Sequence, residues 1–132
     1  MLTTYDPLVP PDPSEWQRLT ELQQVALVED YHRKAGIALP NEQVHAVLHT
    51  VVESQVAAGQ ELTVSATMVR LQNEGLDRHE AVHAVASVLA NHIQALLEGQ
   101  RGGADSNAPY YQELYHLTAK GWLDQWGPDG GT

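Results

Sequence analysis

The chain of 132 residues contains no cysteine and no phenylalanine, and it has only two methionines. Without cysteine, neither a disulfide nor a thiolate metal site can form. A metal site would have to use histidine, carboxylate, carbonyl or water ligands, which suit a divalent transition metal such as Zn, Fe, Mn or Ni. A chain of this length can fold around one core without such cross-links. We therefore predict a single helical domain over residues 1–132.

Basic residues and long apolar runs are also scarce. Seven Lys and Arg stand against seventeen Asp and Glu, which gives a net charge of −10. Non-specific nucleic-acid binding depends on Lys and Arg, so we expect no nucleic-acid partner. No apolar run approaches the roughly 20 residues that cross a bilayer, so we expect no membrane partner. The first residues, "MLTTYDPLVPPDP", lack the pattern of a secretory signal, and we expect a cytoplasmic protein.

Helix-capping signals and helical spacing dominate the remaining sequence. Asp12 and Thr20 each precede a predicted helix, and Asp77 caps another. No segment alternates with period two for long enough to indicate a strand. We predict an all-α fold, a compact bundle of about five to six helices with no sheet. Around it we expect an extended arm at 1–11, a flexible loop at 99–108 and a disordered tail at 127–132.

The third predicted helix, "NEQVHAVLHTVVESQVAAG", carries His45, His49 and Glu53 at i, i+4 and i+8. This spacing forms a stripe along one side of the helix. We place the stripe beside an apolar face made of Val44, Val47, Leu48, Val51 and Val52. Two His one turn apart can bind one metal ion, and a Glu one turn further can complete the site.

The fifth predicted helix repeats the spacing with His79 and His83. We expect the third and fifth helices to run parallel as neighbours, because the fourth helix reverses the chain between them. Both His pairs would then lie at a similar height. The predicted metal ligands are His45, His49, Glu53, His79 and His83.

Two enzymatic alternatives use the same residues. His79-Glu80-Ala81-Val82-His83 matches H-E-x-x-H, the zinc metallopeptidase pattern in which Glu80 would be the catalytic base. However, Asp77 and Glu80 also form a D-x-x-E capping box, and a peptidase needs a strand to hold its substrate. The second alternative is a dinuclear oxidoreductase, because E-x-x-H occurs at 29–32, 80–83 and 113–116. There Glu29 and His32 would be added ligands, and 113–116 is expected at the surface.

A non-catalytic interaction or structural module, with its histidines at the edge of the core, is the remaining alternative. His92 falls within an apolar arc and is expected to be a core histidine. The late aromatic residues would suit the contact of a homodimer, and they equally suit a core without phenylalanine. These residues are Tyr110, Tyr111, Tyr115, Trp122 and Trp126.

Four segments resemble a family of short bacterial helical proteins known as a domain of unknown function. They are "YDPLVPPDPSEWQRL", "LVEDYHRKAGIALPN", "HAVLHTVVESQVAAG" and "GLDRHEAVHAVASVLA", and the resemblance runs from about Tyr5 to Leu97. It implies a small helical protein whose signature is a pair of H-x-x-x-H helices. It implies no activity. Family members often carry Asp in place of Glu80, which weakens a role for Glu80 as a base.

Overall fold

A computed structural model describes residues 2–36, 41–58, 62–100 and 107–126, and this part of the chain contains seven helices and no strand. The all-α prediction is confirmed. The helix count exceeds the predicted five to six because the last segment folds as two helices. No described helix combines the length and the apolar character needed to cross a membrane. The helices are α1 (Pro13–Arg18), α2 (Glu21–Lys34), α3 (Glu42–Ala58), α4 (Leu62–Asn73), α5 (Arg78–Leu97), α6 (Ala108–His116) and α7 (Ala119–Trp126).

The predicted caps begin three of these helices. The Asp12 side chain accepts a hydrogen bond from the Glu15 amide at the start of α1. Thr20 with Gln23 and Asp77 with Glu80 form reciprocal capping boxes at the starts of α2 and α5. Each box satisfies backbone N–H groups that have no partner within the helix. Residues 101–106 of the predicted loop and the predicted tail lie outside the described residues.

The core consists of two clusters that meet at α3. One cluster joins α3 to α4, α5, α6 and α7 and includes Val52, Leu71, Val82 and Leu114. The other surrounds Trp16, which is fully buried, and draws on the arm before α1 and on α2. Because α3 packs against both α2 and α5, residues on its buried side can contact either helix.

The late aromatic residues divide between the core and the surface. Tyr110 and Trp122 are buried in the larger cluster, whereas Tyr115 is 79% exposed. Tyr111 is partly buried against the same cluster. Tyr110 and Trp122 therefore serve as large core residues in a chain without phenylalanine, and the side chain of Trp126 lies outside the described part.

The predicted apolar face of α3 is only partly correct. Val44 and Val47 are about half exposed (50% and 43%), whereas the polar residues His49 and Glu53 are buried (0% and 1%). Val52 is buried as predicted. The polar stripe therefore faces the interior of the molecule, because its members find polar partners there, as described below.

The predicted parallel orientation of α3 and α5 is wrong. His45 contacts His83, while Glu53, two turns further along α3, pairs with Arg78 at the start of α5. Contacts that pair in reverse order belong to helices that run in opposite directions. The prediction assumed that α4 reverses the chain like a hairpin, and a helix of 12 residues between two connections need not do so.

Candidate metal centre

Five histidines from three helices converge where α2, α3 and α5 meet. Along this group, ring centroids lie 4.8 Å apart for His32 and His45, 4.7 Å for His45 and His83, and 4.1 Å for His79 and His83. His49 lies between them, 5.1 Å from His83 and 5.2 Å from His79. The structure therefore brings both predicted His pairs together and adds His32.

Four of these side chains form a tighter group. One ring nitrogen from each of His32, His45, His49 and His83 lies within 4.8 Å of the other three. Tetrahedral zinc with bonds of about 2.0–2.1 Å needs nitrogens about 3.3 Å apart. The Nε2 atoms of His45 and His83 are 3.1 Å apart in a hydrogen bond, so one of them donates a proton that it would give up on binding a metal ion. Small side-chain movements would bring the group to metal-binding distances.

The backbone of α2 fixes which nitrogen of His32 can bind a metal. Its Nδ1 lies 2.9 Å from the carbonyl oxygen of Val28, one turn earlier in the helix. A carbonyl only accepts hydrogen bonds, so Nδ1 carries the proton and donates it. Nε2 therefore holds a lone pair, and this buried atom has no hydrogen-bond partner in the described residues. Metal-binding histidines are typically held in this way through the second ring nitrogen.

His49 is held in the same way by a side chain from the arm before α1. The Tyr5 hydroxyl lies 2.9 Å from His49 Nδ1 and also donates a short hydrogen bond to Glu53. Because the hydroxyl has one proton and gives it to the carboxylate, its oxygen accepts from the protonated Nδ1 of His49. His49 Nε2 is then a buried lone pair without a hydrogen-bond partner among the described residues.

Glu53 supports this arrangement from the far side of Tyr5. Its two carboxylate oxygens each accept a hydrogen bond of 2.7 Å from Arg78, and both side chains are buried. Arg78 also donates to the carbonyl oxygen of Pro7, which holds the arm against α5. Glu53, which the sequence predicted as a metal ligand, therefore forms a bidentate salt bridge with Arg78 beside the histidine group.

Glu80 lies at the helix cap. One of its carboxylate oxygens accepts from the Asp77 amide at 2.9 Å, while the Glu80 amide donates to the Asp77 side chain at 2.8 Å. The geometry is that of the capping box, and the described residues supply no strand beside it. The sequence match to H-E-x-x-H is therefore accounted for by a cap plus two clustered histidines.

The other E-x-x-H matches separate in the structure. His32 joins the histidine group, whereas Glu29 is partly exposed and is not a member of that group. His116 is exposed at the end of α6. His92 is buried and stacks on Tyr110, with ring centroids 5.4 Å apart, as expected for a core histidine.

The environment of the group keeps its imidazoles neutral. Burial lowers the pKa of His83 to about 2, with further lowering from His79, His45 and His32. Burial and neighbouring histidines likewise lower the pKa of His45 to about 4. Burial is also the main cause that takes the pKa of His49 well below its usual value. Neutral imidazole is the form that binds a metal ion.

His79 lies at the margin of the group. Burial and the charge of His32 lower its pKa to about 4. Its Nε2 is buried and has no hydrogen-bond partner among the described residues. Its ring packs edge-on against Tyr31, with centroids 5.5 Å apart. His79 is therefore adjacent to the four-nitrogen group without being a member of it.

Sequence reasoning missed Tyr5 and Arg78 and gave His32 only a minor role. The sequence position of Arg78 could have indicated its role. A cation in the first turn of a helix interacts unfavourably with the helix dipole, so a specific acidic partner is expected. Although burial opposes it, the hydrogen bonds and charge of Glu53 raise the pKa of Arg78. Tyr5 lies in a proline-rich arm without periodicity, so nothing in the sequence connects it to α3.

Comparison with known families agrees with the resemblance seen in the sequence. A family model described as "Domain of unknown function (DUF1841)" matches residues 9–116. The match extends beyond Leu97, where the sequence resemblance ended, and takes in α6. No curated protein and no solved structure matches the chain significantly.

Proposed function

We propose that this chain, which belongs to that family of unknown function, binds a divalent transition-metal ion through His32, His45, His49 and His83. The observation that supports this proposal best is the convergence of one ring nitrogen from each of four histidines. Two of these histidines, His32 and His49, also have a buried Nε2 with no hydrogen-bond partner among the described residues. A buried polar atom left without a hydrogen bond costs about 1–3 kcal/mol. A metal ion would satisfy both atoms at once.

The ligand set differs from the one predicted from sequence. His32 takes the place of Glu53, because Arg78 occupies both oxygens of that carboxylate. His79 lies beside these four ligands and could bind an ion that is shifted from the four-histidine site, or a second ion. An all-imidazole set suits Zn, Ni, Cu or Fe better than Mn, which favours oxygen ligands.

Supporting residues complete the proposal. The Val28 carbonyl orients His32, and Tyr5 orients His49, so that each presents Nε2 to the ion. Glu53 and Arg78 hold Tyr5 in place, which makes them positioning residues for the site. Partners of this kind typically change metal affinity about 10–100-fold when removed.

Elemental analysis of protein purified without a histidine tag tests the proposal. The expected result is near one equivalent of metal per chain, lost in His45→Ala and in His83→Ala. His116→Ala is the matched control, because His116 is exposed and lies outside the group. Circular dichroism would verify that each variant is folded. The proposal would be contradicted if both His45→Ala and His83→Ala kept the wild-type metal content. It would also be contradicted if the wild type took up none of Zn, Ni, Cu and Fe.

A further inference from the structure

A small pocket adjoins the histidine group at His45 and His83. It has a volume of about 140 Å³, and its lining includes His45, His83, Ala86, Ala90 and Trp122. These residues come from α3, α5 and α7. His45 and Ala90 are partly exposed, so the pocket connects the site to solvent.

The pocket has room for a molecule of a few heavy atoms. A cavity of about 150 Å³ holds one benzene molecule, and a water molecule takes about 30 Å³ in the liquid. Most of the lining is apolar, and Ala86 and Ala90 create the space by their small size. Two of the proposed ligands, His45 and His83, form part of its wall. A molecule in the pocket would therefore reach an ion held between them.

The charges around the site favour an anion as that molecule. Four neutral imidazoles would leave both positive charges of a divalent ion uncompensated. Glu53 is the one buried acid in the described part of the chain, and Arg78 already neutralises it. The described pocket lining contains no acidic residue. An uncompensated charge in a low-dielectric interior is costly, so a negatively charged ligand would be stabilised there.

We infer that the pocket beside His45 and His83 binds a small monovalent anion as an additional ligand of the metal ion. This inference rests on the proposed metal function and names the class of molecule that the site would accept. The size of the pocket limits the anion to a few heavy atoms. Its mostly apolar wall disfavours multiply charged anions, which would lose more hydration on entry.

Titration of the cobalt-loaded protein with azide tests the inference, because the visible spectrum of cobalt(II) reports a change in its ligands. Azide should give a saturable spectral change. Ala90→Leu, which fills the pocket, should weaken azide binding at least tenfold at unchanged cobalt content. Ser87→Leu, another pocket-lining change, serves the same purpose should Ala90→Leu not fold. Ala66→Leu on the exposed side of α4 is the matched control and should bind azide like the wild type.

The outcomes separate this inference from the metal proposal. Cobalt bound with a spectrum insensitive to azide would overturn the anion site and leave the metal site standing. Equal azide affinity in wild type and in the folded blocking variant would also overturn it, because the anion would then bind elsewhere. Pyridine serves as an uncharged ligand for comparison. If pyridine bound the cobalt-loaded protein as tightly as azide does, the preference for an anion would be contradicted. Failure of the wild type to take up cobalt, nickel or zinc would remove both proposals.

Discussion

His49 illustrates how single side chains prepare the candidate site. It is fully buried, its Nδ1 is held by Tyr5, and its buried Nε2 has no hydrogen-bond partner among the described residues. One ring nitrogen of His49 also lies within 4.8 Å of ring nitrogens from His32, His45 and His83. The unsatisfied nitrogens of His32 and His49 therefore favour a ligand role over simple packing.

Tyr5→Phe should weaken metal binding about 10–100-fold, because it removes the acceptor that fixes the tautomer of His49. Competition with a chelator of known affinity would measure the change. Tyr115→Phe, which alters an exposed tyrosine, should leave the affinity unchanged. Equal affinities in wild type and Tyr5→Phe would show that Tyr5 does not position His49.

Glu53→Gln should lower the free energy of unfolding of the metal-free protein by about 3–5 kcal/mol, because it leaves the buried charge of Arg78 unpaired. Urea denaturation would measure the loss. Asp124→Asn breaks the exposed ion pair with Lys120 and should have no measurable effect, since solvent screens such pairs. Equal stability of the Glu53 variant and the wild type would mean that Arg78 finds another partner or water.

At the scale of the helices, the sequence predicts local features well. The caps at Asp12, Thr20 and Asp77 depend on residues three positions apart, so the sequence alone specifies them. The i, i+4 spacing likewise identified His45, His49, His79 and His83 as residues that share a side of their helices. The rings of these four residues do lie together, but on antiparallel helices, and His79 lies outside the four-nitrogen group.

The relative orientation of the helices could not be predicted from the sequence. The direction of α3 against α5 depends on how α4 packs, and helical periodicity carries no information about it. The buried side of α3 was also misplaced, because His49 and Glu53 are polar and their burial depends on partners in the arm, α2 and α5. His32 was underweighted because α2 carries only one histidine, so no paired spacing marked it.

Metal should stabilise the packing of α2, α3 and α5 against one another, since its ligands come from all three helices. Removing the ion with a chelator should lower the melting temperature by roughly 10 °C when free metal had been about 100 times its Kd. His49→Ala should abolish this response, whereas His116→Ala should retain it. A melting curve unchanged by verified metal removal would contradict the account.

At the scale of the whole molecule, the site is a neutral interior within an acidic chain. The net charge is −10, yet the histidine group lies among buried side chains where the one described buried acid is paired with Arg78. Folding therefore moves several imidazoles from water into a place that disfavours their charged form. This makes the stability of the metal-free protein depend on pH.

The free energy of unfolding of the metal-free protein should be highest well above pH 6.5, and it should fall as the pH is lowered from 6.5 toward 5. The pKa of His45 and of His79 is lowered to about 4 and that of His83 to about 2 in the folded state. The unfolded chain therefore takes up protons first, near pH 6.5. Each such group contributes up to about 1.4 kcal/mol per pH unit across this range. Urea denaturation between pH 8 and 5 measures the slope, and a flat profile would contradict the neutral burial of these imidazoles.

The central claim is that one ion is held by four histidines from three helices, and nitrogen NMR of histidine side chains tests it most directly. In protein labelled with ¹⁵N-histidine, one equivalent of zinc should shift the Nε2 resonances of four residues and leave His116 unchanged. Those residues are His32, His45, His49 and His83. Zinc bound with these four resonances unmoved, or with the shifts confined to His79 and His116, would contradict the account.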